Sequence, residues 1–248
     1  MVLALGLVAC LPRERPGGEA KRDAPSTAKA RQGVTPTPGA ARDGSATAVD
    51  PMLTAPYHAD FSASALGPEW RPVVSGVWRV AGGQLCGRGA HNRGIWLARR
   101  LPRNVRVEFT AVSHSPDGDL KAEIFGDGRS GARKVTYDDA SSYLVIFGGW
   151  RNQLHVLARL NEHGADRRAL AVSADAATPR ALPVQPNRPY RFVVERRDGK
   201  ALRWWVDGAE LLTFDDPQPL VGPGHEHFGF NDWEAEVCFD DLTLTPLP

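Results

Sequence analysis

YRFVVERRDGKALRWWVDGAELLTF, residues 190–214, places two Asp-Gly pairs between three runs in which large apolar residues alternate with polar ones. Asp-Gly between alternating runs is a strong signal of a β-hairpin, because both residues tolerate the left-handed backbone of a tight turn. The stretch therefore predicts a three-stranded antiparallel meander. Within it, Trp204 and Trp205 are neighbours on one strand. They must point to opposite faces, so one is predicted in the core and the other at the surface.

The same alternation continues on either side of this meander. In NVRVEFTAV, residues 104–112, the apolar residues occupy every second position, and GVWRVAGGQLCG, residues 76–87, has the pattern of a hairpin. No stretch shows a helical stripe, and strands do not alternate with helices along the chain. Many short strands separated by turn residues predict an all-β fold, a two-sheet antiparallel jelly-roll β-sandwich over residues 57–248.

Four stretches carry a resemblance to a known superfamily, and they are DFSASALGPEWRPVVSGVWRVAGGQL (60–85), FGGWRNQLHVLARLNEHGADRR (147–168), the meander at 190–214 and VCFDDLTL (237–244). They resemble the concanavalin A-like lectin/glucanase domains, a jelly-roll superfamily that also includes laminin G-like domains. The second stretch is similar to secreted bacterial domains of that superfamily. The resemblance covers nearly all of residues 58–247 and implies a jelly-roll fold with a sugar-facing role. It transfers no catalytic residue.

The N-terminus has the pattern of an export signal. MVLALGLVAC, residues 1–10, is apolar up to Cys10, and Leu7-Val8-Ala9-Cys10 resembles a bacterial lipobox, in which the cysteine is lipidated. The alternative is a short signal-peptide core with an incidental cysteine, and the absence of Lys or Arg before the apolar run departs from the usual pattern. The lipobox predicts a protein of the cell envelope, anchored by lipid to the periplasmic or extracellular face of a membrane.

Residues 11–56 are rich in Pro, Ala, Thr and Gly and contain almost no large apolar residue. Such a segment buries too little surface to offset its ordering entropy, so it is predicted to be a disordered tether. The chain as a whole has 30 Lys and Arg against 29 Asp and Glu, without a basic stripe. No nucleic-acid partner is therefore expected.

The carboxylates near the C-terminus do not form a recognisable catalytic pattern. Retaining glucanases of this superfamily carry their carboxylates along one strand in a pattern like E-x-D-x-x-E, and neither KAEIFGDG (121–128) nor EAEVCFDD (234–241) has that spacing. In the second stretch, alternation sends Ala235, Val237 and Phe239 inward, and a change of phase predicts a bulge at Asp240-Asp241. We therefore assign no catalytic residue, and the sequence favours a non-catalytic protein.

Two turns combine aromatic and polar residues, as sugar recognition requires. The candidate carbohydrate-binding residues are Trp150, Arg151, Asn152, His155, Arg159 and His163, with Glu162 beside them, and His227, Asn231, Asp232 and Trp233. If the two turns meet at one edge of the sandwich, they form a ligand cleft. The alternative is that Trp150 and Trp233 close the edge of the sandwich while the charged groups pair with one another.

Metal and disulfide chemistry remain open on the sequence. His225 and His227 are two residues apart but lack a visible third ligand, so we predict no transition-metal site. Asp117 and Asp119 flank a glycine and are weak calcium candidates, since calcium is frequent in the superfamily. No other cofactor is expected. Cys86 and Cys238 either form a disulfide in an oxidising compartment or are two buried thiols.

These observations together predict a surface-anchored, non-catalytic module that binds carbohydrate or another ligand of the cell envelope. One alternative is a glycoside hydrolase, or a related sugar-cleaving enzyme, of the same fold. A second alternative is a structural or adhesion module with a protein partner. The sequence does not identify the ligand.

Overall fold

The computed structural model describes residues 49–248. The predicted signal segment, Cys10 and most of the predicted tether lie outside the described residues. Among the described residues, no helix is both long enough and apolar enough to cross a membrane.

Nearly all regular structure in residues 49–248 is β-strand. The strands are β1 (Tyr57–Ala59), β2 (Trp70–Pro72), β3 (Trp78–Ala81), β4 (Gln84–Arg88), β5 (Ile95–Leu97), β6 (Val105–Ser113), β7 (Leu120–Gly126), β8 (Tyr143–Gly148), β9 (Leu154–Arg159), β10 (Arg168–Ala171), β11 (Pro189–Arg196), β12 (Ala201–Val206), β13 (Ala209–Asp215), β14 (His227–Asn231) and β15 (Glu236–Pro246). A four-residue helical turn, Gly149–Asn152, and a 3₁₀ helix, Pro179–Ala181, are the helical elements of this part of the chain.

The strands form two antiparallel sheets. The first sheet has the order β13-β12-β11-β6-β15-β4-β3, with β1 also paired to β15, and the second has the order β10-β9-β8-β7-β14-β5-β2. Strands distant in sequence lie side by side in both sheets, as when β6 pairs with both β11 and β15. The predicted two-sheet jelly-roll sandwich is confirmed.

The meander at 190–214 forms as its sequence predicts. β11, β12 and β13 pair in succession, and the tight turn between the last two places Asp207 at φ 50° and Gly208 at φ 81°. Both angles belong to the left-handed region that this hairpin turn requires. Trp204 is fully buried and Trp205 is only half-buried, so the prediction that they divide between core and surface is also confirmed.

Aromatic residues from both sheets fill the space between them. Phe109, Phe192 and Phe239 come from the first sheet, and Phe228 and Phe230 come from the second. The rings of Phe230 and Phe239 stack at 4.1 Å between centroids, and Phe109 contacts Phe230 edge-to-face at 5.2 Å. Fully burying such a side chain contributes on the order of 1.5–3 kcal/mol, so this cluster holds the two sheets face to face.

The last strand, β15, explains most of the polar density near the C-terminus. Val237 and Phe239 are fully buried, and the pairing of β15 with β6 shifts between Asp240 and Thr243, which confirms the predicted bulge. Cys238 faces Cys86 in the register of β15 and β4, and the two residues form a disulfide. This bond joins the start of the domain to its last strand.

The folded domain begins earlier than the predicted boundary at Tyr57, which corrects the predicted extent of the tether. Leu53 is buried in the core, Met52 forms a bridge with Arg100, and the Asp50 carboxylate contacts the guanidinium of Arg71. The sequence prediction missed this because Met52 and Leu53 are adjacent and show no alternation with polar residues. Burial of Leu53 nevertheless attaches this segment to the core.

The outer face of the second sheet is covered in part by the segment between β7 and β8, residues 127–142. Tyr137 and Ala140 from this segment pack on apolar side chains of β8 and β9, which are Leu144, Ile146, Val156 and Ala158. This second apolar cluster lies on the side of the sheet opposite the main core. The covering segment provides one wall of the candidate site.

Candidate functional site

The turn that follows β8 is a left-handed helical turn. Trp150 (φ 53°, ψ 50°), Arg151 (φ 57°, ψ 50°) and Asn152 (φ 62°) all adopt left-handed backbone. For residues other than glycine this conformation costs roughly 1–2 kcal/mol each, so three in succession need external support.

The side chain of Asn152 provides that support. Its amide donates to the carbonyl oxygens of Pro116 (3.0 Å) and Val184 (2.8 Å), and its carbonyl oxygen accepts from the Val184 N–H at 2.8 Å. The neighbouring loop is fastened to the same turn, because the Asp119 N–H donates to the Gly148 carbonyl at 3.0 Å. Asn152 therefore positions Trp150 and Arg151, and its amide is fully used within the protein.

The turn that carries Trp233 is also held by hydrogen bonds from other parts of the chain. The Asp119 carboxylate accepts a hydrogen bond from the Trp233 N–H at 2.5 Å, and the His91 N–H donates to the Trp233 carbonyl at 3.0 Å. The His91 ring meets the Trp233 indole edge-to-face at 4.7 Å between centroids. The position of the Trp233 side chain is thus fixed by both backbone and ring contacts.

The two turns meet at one cavity of about 400 Å³. Its apolar and aromatic lining consists of Val135, Ile146, Gly149, Trp150, Trp233 and Ala235, and its polar lining consists of Asn92, Asp117, Asp119, Lys121, Thr136, Arg151, Glu162, His163 and Glu234. We call this space the tryptophan cavity. Its volume falls in the range typical of small-ligand sites, which combine apolar walls with a few placed polar groups.

The Trp150 indole is held from outside the cavity as well. The Arg167 guanidinium lies over the ring at 4.9 Å from its centroid, and Arg167 does not line the tryptophan cavity. The ring of His163, which does line it, contacts Trp150 edge-to-face at 5.5 Å. A cation over one face of an aromatic ring contributes on the order of 0.5–1 kcal/mol at an exposed site, which fixes the orientation of the indole.

The floor of the cavity contains a buried lysine. The Lys121 ammonium donates to the Asn92 amide oxygen at 2.5 Å and to Glu162 Oε2 at 3.3 Å, and it lies 3.9 Å from Asp119 Oδ1. Although burial alone would lower the pKa of Lys121, the carboxylates of Asp119 and Glu162 outweigh this effect and raise it. Burial also raises the pKa of Asp119, which Lys121 partly offsets. The floor is therefore polar, closely paired and charged.

Another buried carboxylate, that of Glu123, lies two residues after Lys121 on β7 and on the same face of the strand. Glu123 accepts hydrogen bonds from the hydroxyls of Tyr137 (2.9 Å) and Ser142 (2.6 Å) and from the Asn231 amide (2.6 Å). Burial raises the pKa of Glu123 to about 7, against the opposing effect of these donors. Glu123 does not line the cavity, and its contacts fasten the covering segment 127–142 to β7 and β14.

The structure brings together only part of the predicted carbohydrate-binding set. Trp150, Arg151, His163 and Trp233 line the tryptophan cavity, together with Glu162 and with the calcium candidates Asp117 and Asp119. The remaining candidates do not line it, and they are Asn152, His155, Arg159, His227, Asn231 and Asp232. The structure therefore does not bring these six residues into the same cavity as Trp150 and Trp233.

Two of these six residues lie on β9. His155 is fully buried against Phe147, its Nδ1 accepts from the Gly148 N–H at 2.9 Å, and burial lowers its pKa to about 4. Arg159 donates to the Asp216 carboxylate at 2.8 Å and so ties β9 to the segment after β13. They are four residues apart and so share one face of the strand, and neither lines the tryptophan cavity.

Three more of these six residues lie on or beside β14, and the sixth, Asn152, supports the turn that carries Trp150. His227 is buried and contacts the Asp50 carboxylate at 3.1 Å. Asn231 and Asp232 are fully buried, with Asn231 bound to Glu123 and the Asp232 carboxylate accepting from the Ala90 N–H at 2.6 Å. Burial raises the pKa of Asp232 to about 7. The side chains of Asn231 and Asp232 thus stabilise the turn that leads to Trp233.

The residues present do not assemble a metal-binding set. His225 Nδ1 lies 2.7 Å from the Ser141 carbonyl, so the two neighbouring histidines have different partners. Asp119 offers one oxygen to the Trp233 N–H and the other to the Lys121 ammonium, which does not fit a Ca²⁺ ligand. Within residues 49–248 no group of three or more His, Cys, Asp or Glu side chains could hold a metal ion.

Several residues of the cavity were not predicted from the sequence, notably Asn92, Lys121 and Val135. One signal was available for Lys121. In LKAEIFG, residues 120–126, Lys121 and Glu123 share one face of a strand whose other face is apolar. Both are nearly completely buried, because residues 127–142 cover that face.

Comparisons with known proteins agree with this architecture. The model of a family described as Domain of unknown function (DUF6250) matches residues 90–242, and no curated protein sequence matches the chain. Among solved structures, carbohydrate-binding module CBM66 from Bacillus subtilis is similar, with 15% identity over 71% of this chain and 95% of that chain and a TM-score of 0.51. Another similar structure, from work on endo-acting O-glycanases with which human gut microbiota initiate mucin breakdown, has 12% identity over 77% of this chain and 99% of that chain and a TM-score of 0.54.

These likenesses show the fold, a two-sheet antiparallel β-sandwich. The family model covers more than half of the chain, including β5 to β14, most of β15 and every residue that lines the tryptophan cavity. The chain therefore belongs to the DUF6250 domain family.

Proposed function

We propose that this domain binds carbohydrate in the tryptophan cavity without cleaving it. The observation that carries the proposal is that Trp150 and Trp233, which come from separate turns, line one cavity with a polar floor. Indole rings provide flat apolar surfaces for the C–H faces of sugars, and charged or amide groups accept and donate hydrogen bonds to the hydroxyls.

The way the turns are built supports the same function. The left-handed turn that carries Trp150 is held by three hydrogen bonds of Asn152, and Trp233 is fixed by Asp119 and His91. A site whose aromatic groups are already ordered loses less conformational entropy when a ligand binds. The similar carbohydrate-binding module CBM66 adds support at the level of the fold, although a shared fold does not determine function.

The buried carboxylates support binding over cleavage. Glycoside hydrolysis by two carboxylates needs one to act on the sugar as nucleophile or base and the other to donate a proton. Asp119 and Glu162 both contact the Lys121 ammonium, so neither is free for these roles. Cleavage remains the alternative, favoured by one observation, which is that the exposed carboxylates of Asp117 and Glu234 line the same cavity.

A glycan array probed with the full chain tests the proposal. We expect retention of neutral glycans, and we expect Trp150→Ala to lower affinity for the retained glycan roughly 10- to 100-fold, because aromatic anchors dominate binding energy. Trp205→Ala is the matched control, since Trp205 is a half-buried tryptophan on β12 that does not line the cavity, and it should bind as the unmodified protein does.

Two results would count against this function. If the array retains no glycan, or if Trp150→Ala and Trp205→Ala have equal effects, sugar binding in the tryptophan cavity is wrong and a protein partner becomes the better hypothesis. Shorter oligosaccharides appearing after incubation with the protein, and disappearing in Asp117→Asn or Glu234→Gln, would establish the cleaving alternative.

We further propose that the chain is lipidated at Cys10 and that the segment before Asp50 tethers the domain to a membrane surface. The support is the lipobox-like Leu7-Val8-Ala9-Cys10 and the composition of the residues that follow it. Mass spectrometry of the protein purified from a bacterial membrane fraction should give an N-terminal peptide that begins at Cys10 and carries acyl chains. A peptide that continues unmodified through Cys10, or membrane association that survives Cys10→Ala, would contradict lipid anchoring.

A further inference from the structure

A second cavity adjoins the tryptophan cavity. It has a volume of about 610 Å³ and is more open to solvent. Three residues, Asp117, Glu234 and Ala235, line both cavities. The two spaces therefore lie next to each other along this shared wall, and we call them together the extended groove.

The two halves of the extended groove differ in chemistry. The tryptophan cavity presents indole rings, which suit the faces of a sugar ring. The second cavity is lined by the side chains of Arg88, His91 and Ser115, which suit hydroxyl and acetamido groups as hydrogen-bond partners. One half therefore favours stacking and the other favours hydrogen bonding.

The wall between the halves carries two available carboxylates. Asp117 and Glu234 are exposed, and neither forms an ion pair with another residue in the described range 49–248. Carboxylates accept strong hydrogen bonds from sugar hydroxyls. They also repel a carboxylate or sulfate on the part of the chain that passes this wall, since like charges in contact are unfavourable.

We infer that the extended groove binds an internal stretch of an uncharged glycan chain. One sugar lies in the tryptophan cavity, the chain passes Asp117 and Glu234, and the next sugar lies against Arg88 and His91. This inference rests on the proposed function and adds to it the length and the charge class of the ligand. A site for one terminal sugar needs only the tryptophan cavity, whereas the adjoining second cavity offers contacts for a further sugar.

Isothermal titration calorimetry with the full chain tests the inference. The probes are β-1,4-linked oligosaccharides of glucose, xylose, mannose and N-acetylglucosamine, from the monosaccharide to the hexasaccharide. Any neutral glycan that the array retains is added as a further probe. Oligogalacturonates of the same lengths represent the anionic class. We expect affinity for the preferred neutral series to rise about tenfold or more from the monosaccharide to the trisaccharide, because the second half contributes its own contacts.

Variants separate the two halves of the extended groove. Arg88→Ala should remove most of the gain with chain length while leaving the monosaccharide affinity unchanged, because Arg88 lines the second cavity alone. Arg203→Ala, another exposed arginine at the surface of β12, is the control and should change neither value. Asp117→Asn with Glu234→Gln should weaken neutral binding and strengthen binding of oligogalacturonate.

The outcomes distinguish this inference from the proposed function. Binding of a neutral monosaccharide as tightly as its trisaccharide, with no effect of Arg88→Ala, overturns the inference and leaves sugar binding in place. Tighter binding of oligogalacturonate than of any neutral series overturns the charge class. If no probe binds, the proposed function fails and the inference fails with it.

Discussion

Trp204→Ala is expected to lower the free energy of unfolding by about 3–5 kcal/mol, the usual cost of removing a large aromatic side chain from a well-packed core. Trp204 is fully buried on the central strand of the 190–214 meander. Its ring stacks on Phe192 at 5.9 Å between centroids and meets Phe147, from the opposite sheet, edge-to-face at 6.2 Å. The substitution removes contacts between the sheets and leaves a cavity. Urea denaturation, followed by circular dichroism, measures the change in the free energy of unfolding.

Trp205→Ala provides the matched control for this change. The same substitution is made at the next residue of the strand, whose side chain lies on the outer face of the first sheet and is only half-buried. Its expected cost is about 1 kcal/mol, since a half-buried side chain on the outer face loses fewer contacts than a core side chain. Equal losses for the two variants would mean that the meander does not present its tryptophans as the structure describes.

Lys121→Met should lower the free energy of unfolding by about 3–5 kcal/mol, although methionine matches the length of the lysine chain. The substitution removes the ammonium that contacts Glu162 at 3.3 Å and Asp119 at 3.9 Å. Two carboxylates then remain in a mostly buried site without a cation, and a buried charge without a partner is expensive. The same urea titration at neutral pH measures the loss.

A compensated variant isolates the electrostatic cause. Adding Asp119→Asn and Glu162→Gln to Lys121→Met removes the stranded charges and should recover most of the stability, because neutral replacement of a buried ionic group is often tolerated. If Lys121→Met alone costs less than about 1 kcal/mol, the floor of the tryptophan cavity is hydrated enough that the lysine is not needed to neutralise it. If the compensated variant is no more stable than Lys121→Met, packing of the lysine chain is the cause.

Much of the fold follows from local sequence. The Asp-Gly turns and the alternation in residues 190–214 specify a meander without help from distant parts of the chain, and the structure has it. The bulge near Asp240 is also a local feature, visible as a change in the phase of apolar residues. The order of the strands within the sheets does not follow from local sequence, because pairings such as β6 with β15 join residues more than 100 positions apart. Such pairings leave no pattern in a short stretch of sequence.

The candidate site was predictable in its two tryptophans and in some of its polar residues, such as Arg151 and His163, but not in its buried floor. Trp150 and Trp233 occur in turns flanked by glycine or small polar residues, and such turns lie at the edges of a sandwich. Lys121 was missed because a charged residue on one face of a strand is normally solvated. Here residues 127–142 fold over that face, and no local pattern predicts where a long connection will lie.

Polar residue type was a poor guide to ligand contact in this protein. His155, Asn231 and Asp232 belong to segments that also carry cavity residues, yet all three are fully buried and serve the scaffold. A turn with unusual backbone needs polar side chains to satisfy its N–H and C=O groups, so such residues accumulate beside a site without entering it. Which polar side chains line the cavity and which support the turns depends on the tertiary fold, which the local sequence does not specify.

A crystal structure of the full chain with the neutral oligosaccharide that binds most tightly is the decisive test of carbohydrate binding in the tryptophan cavity. We expect a sugar ring against the Trp150 indole in this cavity, with the chain passing Asp117 and Glu234 toward Arg88. An oligosaccharide bound elsewhere, for example on the outer face of the first sheet around Trp205, with the tryptophan cavity free of sugar, would contradict it.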